Sequence, residues 1–457
     1  MTESLEQNRA PGLDEAFAVW LKIGLLSFGG PAGQIALMHR ILVEERRWID
    51  EPRFLHALNY CMLLPGPEAQ QLATYIGWLL NRTLGGLIAG ILFVLPGAVV
   101  ILVLSIAYAL FAQVPLVAAA FVGVKAAVLV VVVEAVLRIG KRALKTLPMY
   151  LLAAAAFVAI YLFEVPFPII ITAASLVGLA GGMMRPDLFR AIAKGDKGGA
   201  HELSVVDAMA ERGELSHTMP SYGRSAWLLV VFAVLWGGPI AALFYLFGGD
   251  NVFAQEAAFF SKLAVVTFGG AYAVLAYMAQ QAVETYHWLT ASEMLDGLGL
   301  AETTPGPLIL VTQFVGFLGA YRQAVGIDPF LAGVLGSVVT VWVTFVPCFM
   351  WIFLGAPYIE RLRENIHLSA ALSGITAAVV GVILNLAVWF GLRVAFAEVG
   401  AVEVAWISLP IPSIGTANWV AILLTGVAAF TIFGLRLGVL HTLAICGGGA
   451  VLMHLFI

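Results

Sequence analysis

The chain has 457 residues, 61% of them hydrophobic and only 11% charged, with a net charge of −4. A soluble domain carries roughly 25% charged residues, so the composition excludes a water-soluble protein and points to an integral membrane one. The sum of charge says little about partners, whereas its distribution orients the chain.

The polar stretch Met1–Asp14 has no cleavable signal pattern, so the first apolar segment is expected to be retained. That segment carries Lys22 and ends at Ser27-Phe28-Gly29-Gly30-Pro31, and a polar loop with Arg46, Arg47 and Arg53 follows. Pro65-Gly66-Pro67 then interrupts Phe54–Leu80, leaving arms of about 11 and 13 residues, or roughly 17 and 20 Å of helix, each about half a bilayer. Proline lacks a donor and forbids the preceding turn, so Pro31 and Pro67 read as the first positions of new helices. Residues 84–112 carry no charge and are long enough to cross, and further spans are predicted at 115–137, 149–163 and 165–184. Arg185–Arg224, charged and rich in Gly, reads as a cytoplasmic linker in which His201 and His217 are solvated. Later spans are predicted at 225–247, 327–355, 366–392, 418–435 and 437–457. Cys61, Cys348 and Cys446 lie apart in apolar stretches and read as small buried side chains, without a disulfide or a metal.

The chain repeats itself. Lys22, Phe28-Gly29-Gly30, Trp48 and Pro65-Gly66-Pro67 return as Lys262, Phe268-Gly269-Gly270, Trp288 and Pro305-Gly306-Pro307 at one offset of 240, and Gly123-Val124-Lys125-Ala126-Ala127 is echoed by Gly374-Ile375-Thr376-Ala377-Ala378 at 251. Glu44–Arg53 holds three arginines while its counterpart Glu284–Glu293 has no Lys or Arg, so the two loops are expected on opposite sides of the membrane. With Arg138–Lys145 placed in the cytoplasm and the single span 225–247 turning the second half over, the prediction is an all-α polytopic protein of two inverted-topology repeats with broken or re-entrant helices. Residues 1–184 form the first repeat, 185–256 the linker and its helix, and 257–457 the second repeat. The N-terminus is then cytoplasmic and the C-terminus periplasmic.

Unwound backbone at membrane depth is tolerated only where protein or a water-filled cavity covers it. Each break frees N–H groups and turns the positive end of a helix dipole inward, which suits an anion. The competing reading, kinks in packed helices, weakens when four breaks fall at repeat-related positions. Lys22, Lys125 and Lys262 lie inside apolar segments, where an ammonium costs several kcal/mol unless paired or wet. They read as anion ligands, with salt bridges to Glu134, Glu68 or Glu302 as the alternative. Ser27, Gln34, Asn59, Gln70, Gln71, Thr74, Thr267, Thr303, Thr304, Thr312 and Gln313 stand beside the breaks as hydrogen-bond donors to an oxyanion, while Ser27 and Thr304 suit helix capping equally. Glu68, just after Pro67, is the proton-coupling candidate, with capping as its other role; Glu302 is assigned with it. No Walker loop supports ATP-driven transport, and Asn81-Arg82-Thr83 falls in a predicted cytoplasmic loop where glycosylation has no place. A channel is the rival mechanism. A membrane-embedded enzyme is the rival class, disfavoured because the histidines are scattered without ligand spacing.

Ser27-Phe28-Gly29-Gly30-Pro31, Leu64-Pro65-Gly66-Pro67 with Gln71 and Gly77, and Gly123-Val124-Lys125-Ala126-Ala127 resemble the chromate transporter family of bacterial inner-membrane proteins, in its long two-domain form. The resemblance implies export of chromate driven by the proton motive force, hence chromate resistance, with sulfate the runner-up substrate. It departs at Gln34, where many relatives carry a His, and at Ala271, which replaces the motif proline. The expected anion site comprises Lys22, Ser27, Gly29, Gly30, Pro65, Gly66, Pro67, Gln71, Lys125, Lys262, Thr267, Gly269, Gly270, Pro305, Gly306 and Pro307. No cofactor, metal or nucleic acid is expected. The partners are a small oxyanion, the bilayer and, in a homodimer, a second copy of the chain.

Overall fold

A computed structural model describes residues 9–185, 188, 204–268, 271–358, 366–404 and 407–456. The first half begins with α1 (Leu13–Leu26) and α2 (Gly30–His39), which runs on as a π-helical turn over Arg40–Glu45. It continues with α3 (Glu51–Cys61), α4 (Glu68–Phe111), α5 (Pro115–Ala143), α6 (Leu147–Phe163) and α7 (Phe167–Met184). The linker holds α8 (Val205–Glu211) and leads into α9 (Tyr222–Phe232) and α10 (Gly238–Phe247), joined by a π-turn. The second half comprises α11 (Val252–Val266), α12 (Ala271–Gln280) with a π-turn over Gln281–Thr285, α13 (Ala291–Thr303) and α14 (Val311–Gln323). Then come α15 (Pro329–Gly355), α16 (Ile366–Ala395), α17 (Trp419–Ala429) and α18 (Val439–Phe456).

Seven of these stretches are long and apolar enough to cross a membrane, and α6 and α17 are shorter apolar helices. Each covers a predicted span, and the protein is an all-α, multi-pass membrane protein. One small exception went unread in the sequence: β1 (Val399–Val404) and β2 (Ile407–Pro412) pair antiparallel between α16 and α17. Among the described residues the three cysteines are free and buried, as predicted.

The repeat is carried by the backbone. Helix, Phe-Gly-Gly break, helix with π-turn, helix, Pro-Gly-Pro break and helix occur in that order in both halves, and Pro96 inside α4 and Pro347 inside α15 stand 251 residues apart. α5 is clasped by α17 and α18 of the opposite half, and α16 by α6 and α7. The echoed glycines make these contacts close: a Cβ on Gly123 would overlap the Cys446 carbonyl, and one on Gly374 the Ala174 carbonyl. Helix backbones approach this closely in membranes through small residues, because lipid offers no hydrophobic drive to pair helices. α9 and α10 lie outside this core, with only 6% of their most apolar stretch buried against 61% in α16, so they present an apolar outer surface.

The predicted loop at Asn81-Arg82-Thr83 is a two-residue reversal within α4. Asn81 and Arg82 leave helical geometry, with Arg82 at φ 56 and ψ −154. The chain doubles back there, bringing Gly77 against Gly85 and Ala89, and Thr74 against Gly90. The break-bearing segment therefore leaves on the side where it entered. At its start, Arg47 and Trp48 accept from the amides of Val205 and Val206, and at its end the Trp78 carbonyl accepts from His217, all in one stretch of linker. His217 is thus packed edge-on against Trp78 rather than solvated, while His201 lies outside the described residues. In the second half Arg322, at the end of α14, pairs with Glu293 at the start of α13 at 2.6 Å, closing the same re-entrant loop.

Candidate functional site

The tips of these hairpins meet in two crossed pairs. The Gly66 amide donates to the Thr267 carbonyl at 2.8 Å, and the Gly306 amide donates to the Ser27 carbonyl at 2.8 Å. Each Pro-Gly-Pro break of one half is thereby docked on the Phe-Gly-Gly break of the other. Both bonds exist because the breaks release backbone groups that a continuous helix would use internally. Gly66 sits at φ +120 and Gly306 at φ +90, where L side chains are strained. A Cβ on Gly66 would also lie 2.9 Å from both Cys348 Sγ and Gln71 Nε2.

Amide side chains brace the crossing. Gln34 Nε2 donates to the Gly306 carbonyl at 2.6 Å, and Gln71 Nε2 to the Pro65 carbonyl at 2.7 Å. Gln34, the departure from the family motif, therefore has a defined partner in the opposite half. The hydroxyls behave otherwise than as oxyanion donors. Ser27 and Thr267 give their hydrogens to Ile23 and Leu263 at 2.6 Å, and Thr304 and Thr312 to Ala301 and Ile309. Capping is the role they take, because a hydroxyl at a helix end finds the nearest free carbonyl first.

What the crossing offers an anion is mainly backbone. The starts at Gly29, Pro67 and Pro307 carry no side-chain cap, whereas α3 and α13, which begin in loops, are capped by Asp50 and Thr290. Their first N–H groups and dipole ends stay available for negative charge. The buried amide oxygens of Gln70, Gln71 and Gln313 have no hydrogen-bond partner. Each such group costs about 1–3 kcal/mol unless a polar occupant satisfies it. Pro65, Gly66, Pro67, Pro305, Gly306 and Pro307 are all buried, so the crossing is closed in this structure. Gly29 is exposed and Gly30 half-exposed, with nothing within 4 Å of a Cβ on either, while Gly269 and Gly270 lie outside the described residues.

The lysines have separate surroundings. Lys22 is exposed on α1, and Lys262 is exposed on α11 with its ammonium 5.7 Å from the centre of the Tyr277 ring. Lys125 donates to Ser292 Oγ at 2.7 Å and pairs with Asp296 at 3.6 Å. Its carboxylate partner is therefore none of the three expected ones. Glu68, half-buried, opens the first turn of α4, a position that helix dipoles favour for a carboxylate. Glu302 is 5% exposed and accepts the Tyr272 hydroxyl at 2.6 Å.

Two buried acids escaped the sequence reading. Asp296 is 5% exposed and holds Lys125. Glu256 is fully buried, its carboxyl lying against Gly319 and Gly336 with neither oxygen hydrogen-bonded. Glu256 lies in a helix of mostly apolar residues, where an acid is a signal, whereas Asp296 shares its helix with Glu293 and Glu302 and does not stand out by sequence. Among the described residues no group of three His, Cys, Asp or Glu could hold a metal ion.

A multi-pass protein whose duplicated halves meet through uncapped backbone breaks has the construction of a membrane transporter. The chain belongs to the chromate transporter family, which it matches over residues 15–179 and 254–453. It is 32% identical over 375 residues to a chromate transport protein of Pseudomonas aeruginosa, spanning 81% of this chain and 79% of that one. It is 28% identical over 387 residues to a probable chromate transport protein of Synechococcus elongatus (85% and 86% covered), and 28% identical over 367 residues to a chromate transport protein of Cupriavidus metallidurans (80% and 79% covered). These relatives are transport proteins, and this chain is a transporter rather than an enzyme. No solved structure matches it.

Proposed function

We propose that the protein exports chromate from the cytoplasm across the bacterial inner membrane, drawing on the proton motive force and conferring chromate resistance. The observation that carries this reading is the pair of reciprocal bonds, Gly66 to Thr267 and Gly306 to Ser27, each of which docks a buried Pro-Gly-Pro break on the opposite half. The relatives' names supply the substrate. The anion sits between the two Pro-Gly-Pro breaks, with the N-termini after Pro67 and Pro307 turned toward it, while Lys22, Lys125 and Lys262 supply neutralising charge on its route. Gly29 and Gly30, both at positive φ, give the first-half break its freedom. Glu68 and Glu302 are the carboxylates that exchange protons.

The halves, residues 1–184 and 257–457, are related by an axis in the membrane plane, with the linker 185–256 between them. Tip-to-tip meeting of re-entrant hairpins supports entry from opposite faces, because two such hairpins entering from one face would lie side by side. The N-terminus is then cytoplasmic and the C-terminus periplasmic. Single cysteines in 44–53 and 284–293 of a cysteine-free variant should differ in labelling by an impermeant thiol reagent, and equal labelling overturns the inversion.

Flux into proteoliposomes tests the transport reading. Chromate should move, respond to an imposed pH gradient or potential, and be competed by sulfate only at excess. Sulfate flux that chromate fails to inhibit would reassign the substrate. Flux independent of both gradients would make the protein a channel or uniporter.

A further inference from the structure

Among the described residues, one ion pair joins the two halves and has no repeat-related copy. Lys125, on α5, lies 3.6 Å from Asp296 on α13 and donates to Ser292 at 2.7 Å. Tyr108, on α4, donates to the other oxygen of Asp296 at 2.8 Å. At the offset of 251 Lys125 corresponds to Thr376, and at 240 Asp296 corresponds to His56, so the second copy of the pair is missing from the sequence itself. The two members differ in reach. The Lys125 side chain is 20% exposed and that of Asp296 only 7%. A solute can approach the ammonium without touching the carboxylate.

The remaining charges nearby are accounted for. Glu293, on the same helix as Asp296, is held by Arg322 of α14 at 2.6 Å. The groups facing Asp296 are therefore Tyr108 from α4, Lys125 from α5 and the already paired Glu293, and Lys125 is its cation. One Asp296 oxygen has no hydrogen bond, so the pair is held by charge and by Tyr108 rather than by direct Lys125 donation. A buried carboxylate that loses its cation is left with an uncompensated charge, and proton uptake removes it.

We propose that Asp296 competes with the transported anion for Lys125, so that an oxyanion reaching the lysine displaces the carboxylate, which then takes one proton from water onto its free oxygen. This deepens the proposed function and rests on its assignment of Lys125 to the anion. The anion-bound state carries one proton more than the empty state. A dianion bound with one proton still moves one net negative charge, so an inside-negative potential drives it outward. Tyr108, by favouring the ionised carboxylate, tunes how readily the exchange occurs.

The experiment is chromate binding to the purified full chain in detergent, measured calorimetrically over the alkaline range in which chromate is a dianion. Wild type should lose affinity by about tenfold per pH unit, as one linked proton requires. Asp296→Asn should bind more tightly than wild type and show a flat profile. Tyr108→Phe, which keeps both charges and serves if Asp296→Asn does not accumulate, should also bind more tightly. An unchanged pH slope in Asp296→Asn, or unchanged or weaker binding in Tyr108→Phe, overturns the proposal. Lys125→Met distinguishes the two levels. If it binds chromate as wild type does, the assignment of Lys125 fails and this inference with it. If it loses binding while Asp296→Asn keeps the wild-type slope, only the competition is wrong.

Discussion

Alanine in place of the break glycines should rank in an order that the geometry dictates. Gly66→Ala faces two penalties. At φ +120 an L residue is strained by about 1–3 kcal/mol, and its methyl would lie 2.9 Å from Cys348 Sγ and Gln71 Nε2, an overpacking worth about 1–3 kcal/mol. Gly306→Ala pays a similar strain at φ +90 but meets Leu310 Cδ1 only at 3.2 Å, so its steric cost is smaller. Gly29→Ala, at φ +83 with no atom within 4 Å, pays strain alone, about 1–2 kcal/mol. Gly237, in a π-turn with nothing within 4 Å of a Cβ and no positive φ, is the control, and alanine there should be neutral or stabilising by about 0.4–1 kcal/mol. Inactivation rates on heating in detergent suit a membrane protein that does not refold reversibly. The expected order of lability is Gly66→Ala, Gly306→Ala, Gly29→Ala, then wild type and Gly237→Ala. Cys348→Ala should rescue Gly66→Ala in part and leave Gly306→Ala unaffected, a coupling of at least about 0.5 kcal/mol. Equal lability of Gly66→Ala and Gly237→Ala would refute the docked crossing.

Gly123→Val and Gly374→Val each push a side chain into a carbonyl of the opposite half, at Cys446 and Ala174, and should each cost about 1–3 kcal/mol, nearly additively, in the same heating assay. His217 is held below its ordinary pKa by burial, by the charges of Arg82 and Arg224, and against the opposing pull of its bond to the Trp78 carbonyl. A folded pKa below the unfolded one means that stability is full above about pH 6.5 and is lost progressively as pH falls from there through the lower folded pKa. His217→Gln should flatten that loss, and an unchanged pH profile of thermal inactivation would show that His217 does not titrate on unfolding.

Proline, glycine and charge are local signals, which is why the spans, the repeat and the breaks were legible. Pro67 and Pro307 announce new helices whatever surrounds them. The loop at Asn81-Arg82-Thr83 is legible as a polar gap between apolar runs, but its tightness, without Gly or Pro at the turn, comes from α4 packing on itself through Gly77, Gly85 and Gly90. The same limit applies to charges. Lys125 stood out because a lysine in an apolar run is costly, but its partner Asp296 lies 171 positions away in a helix too short to read as a span. The hydroxyls at the breaks were read from donor capacity, whereas the free carbonyl one turn back decides where the hydrogen goes. The strands β1 and β2 are short and lie between two strong apolar spans, whose hydropathy dominates the sequence there.

The duplication also shows where the two halves cease to be equivalent. Gln34 ties the second-half break by its bond to the Gly306 carbonyl at 2.6 Å, but its repeat counterpart at offset 240 is Val274, which cannot return the bond to Gly66. Among the described residues, one crossed pair is therefore bridged between the halves by side chain and backbone, and the other by backbone alone, since Gln71 braces Pro65 from within its own half. Gln34→Val would restore symmetry. It leaves a buried carbonyl short of a donor, at about 1–3 kcal/mol, which is a factor of roughly 5 to 150 in the opening equilibrium of that pair. Hydrogen exchange should then quicken at the Gly306 amide, whose bond to Ser27 opens, and stay as it was at the Gly66 amide, whose bond to Thr267 is untouched. If both amides quicken together the two pairs open as one rigid unit, and if neither does the Gln34 bond contributes nothing to closure.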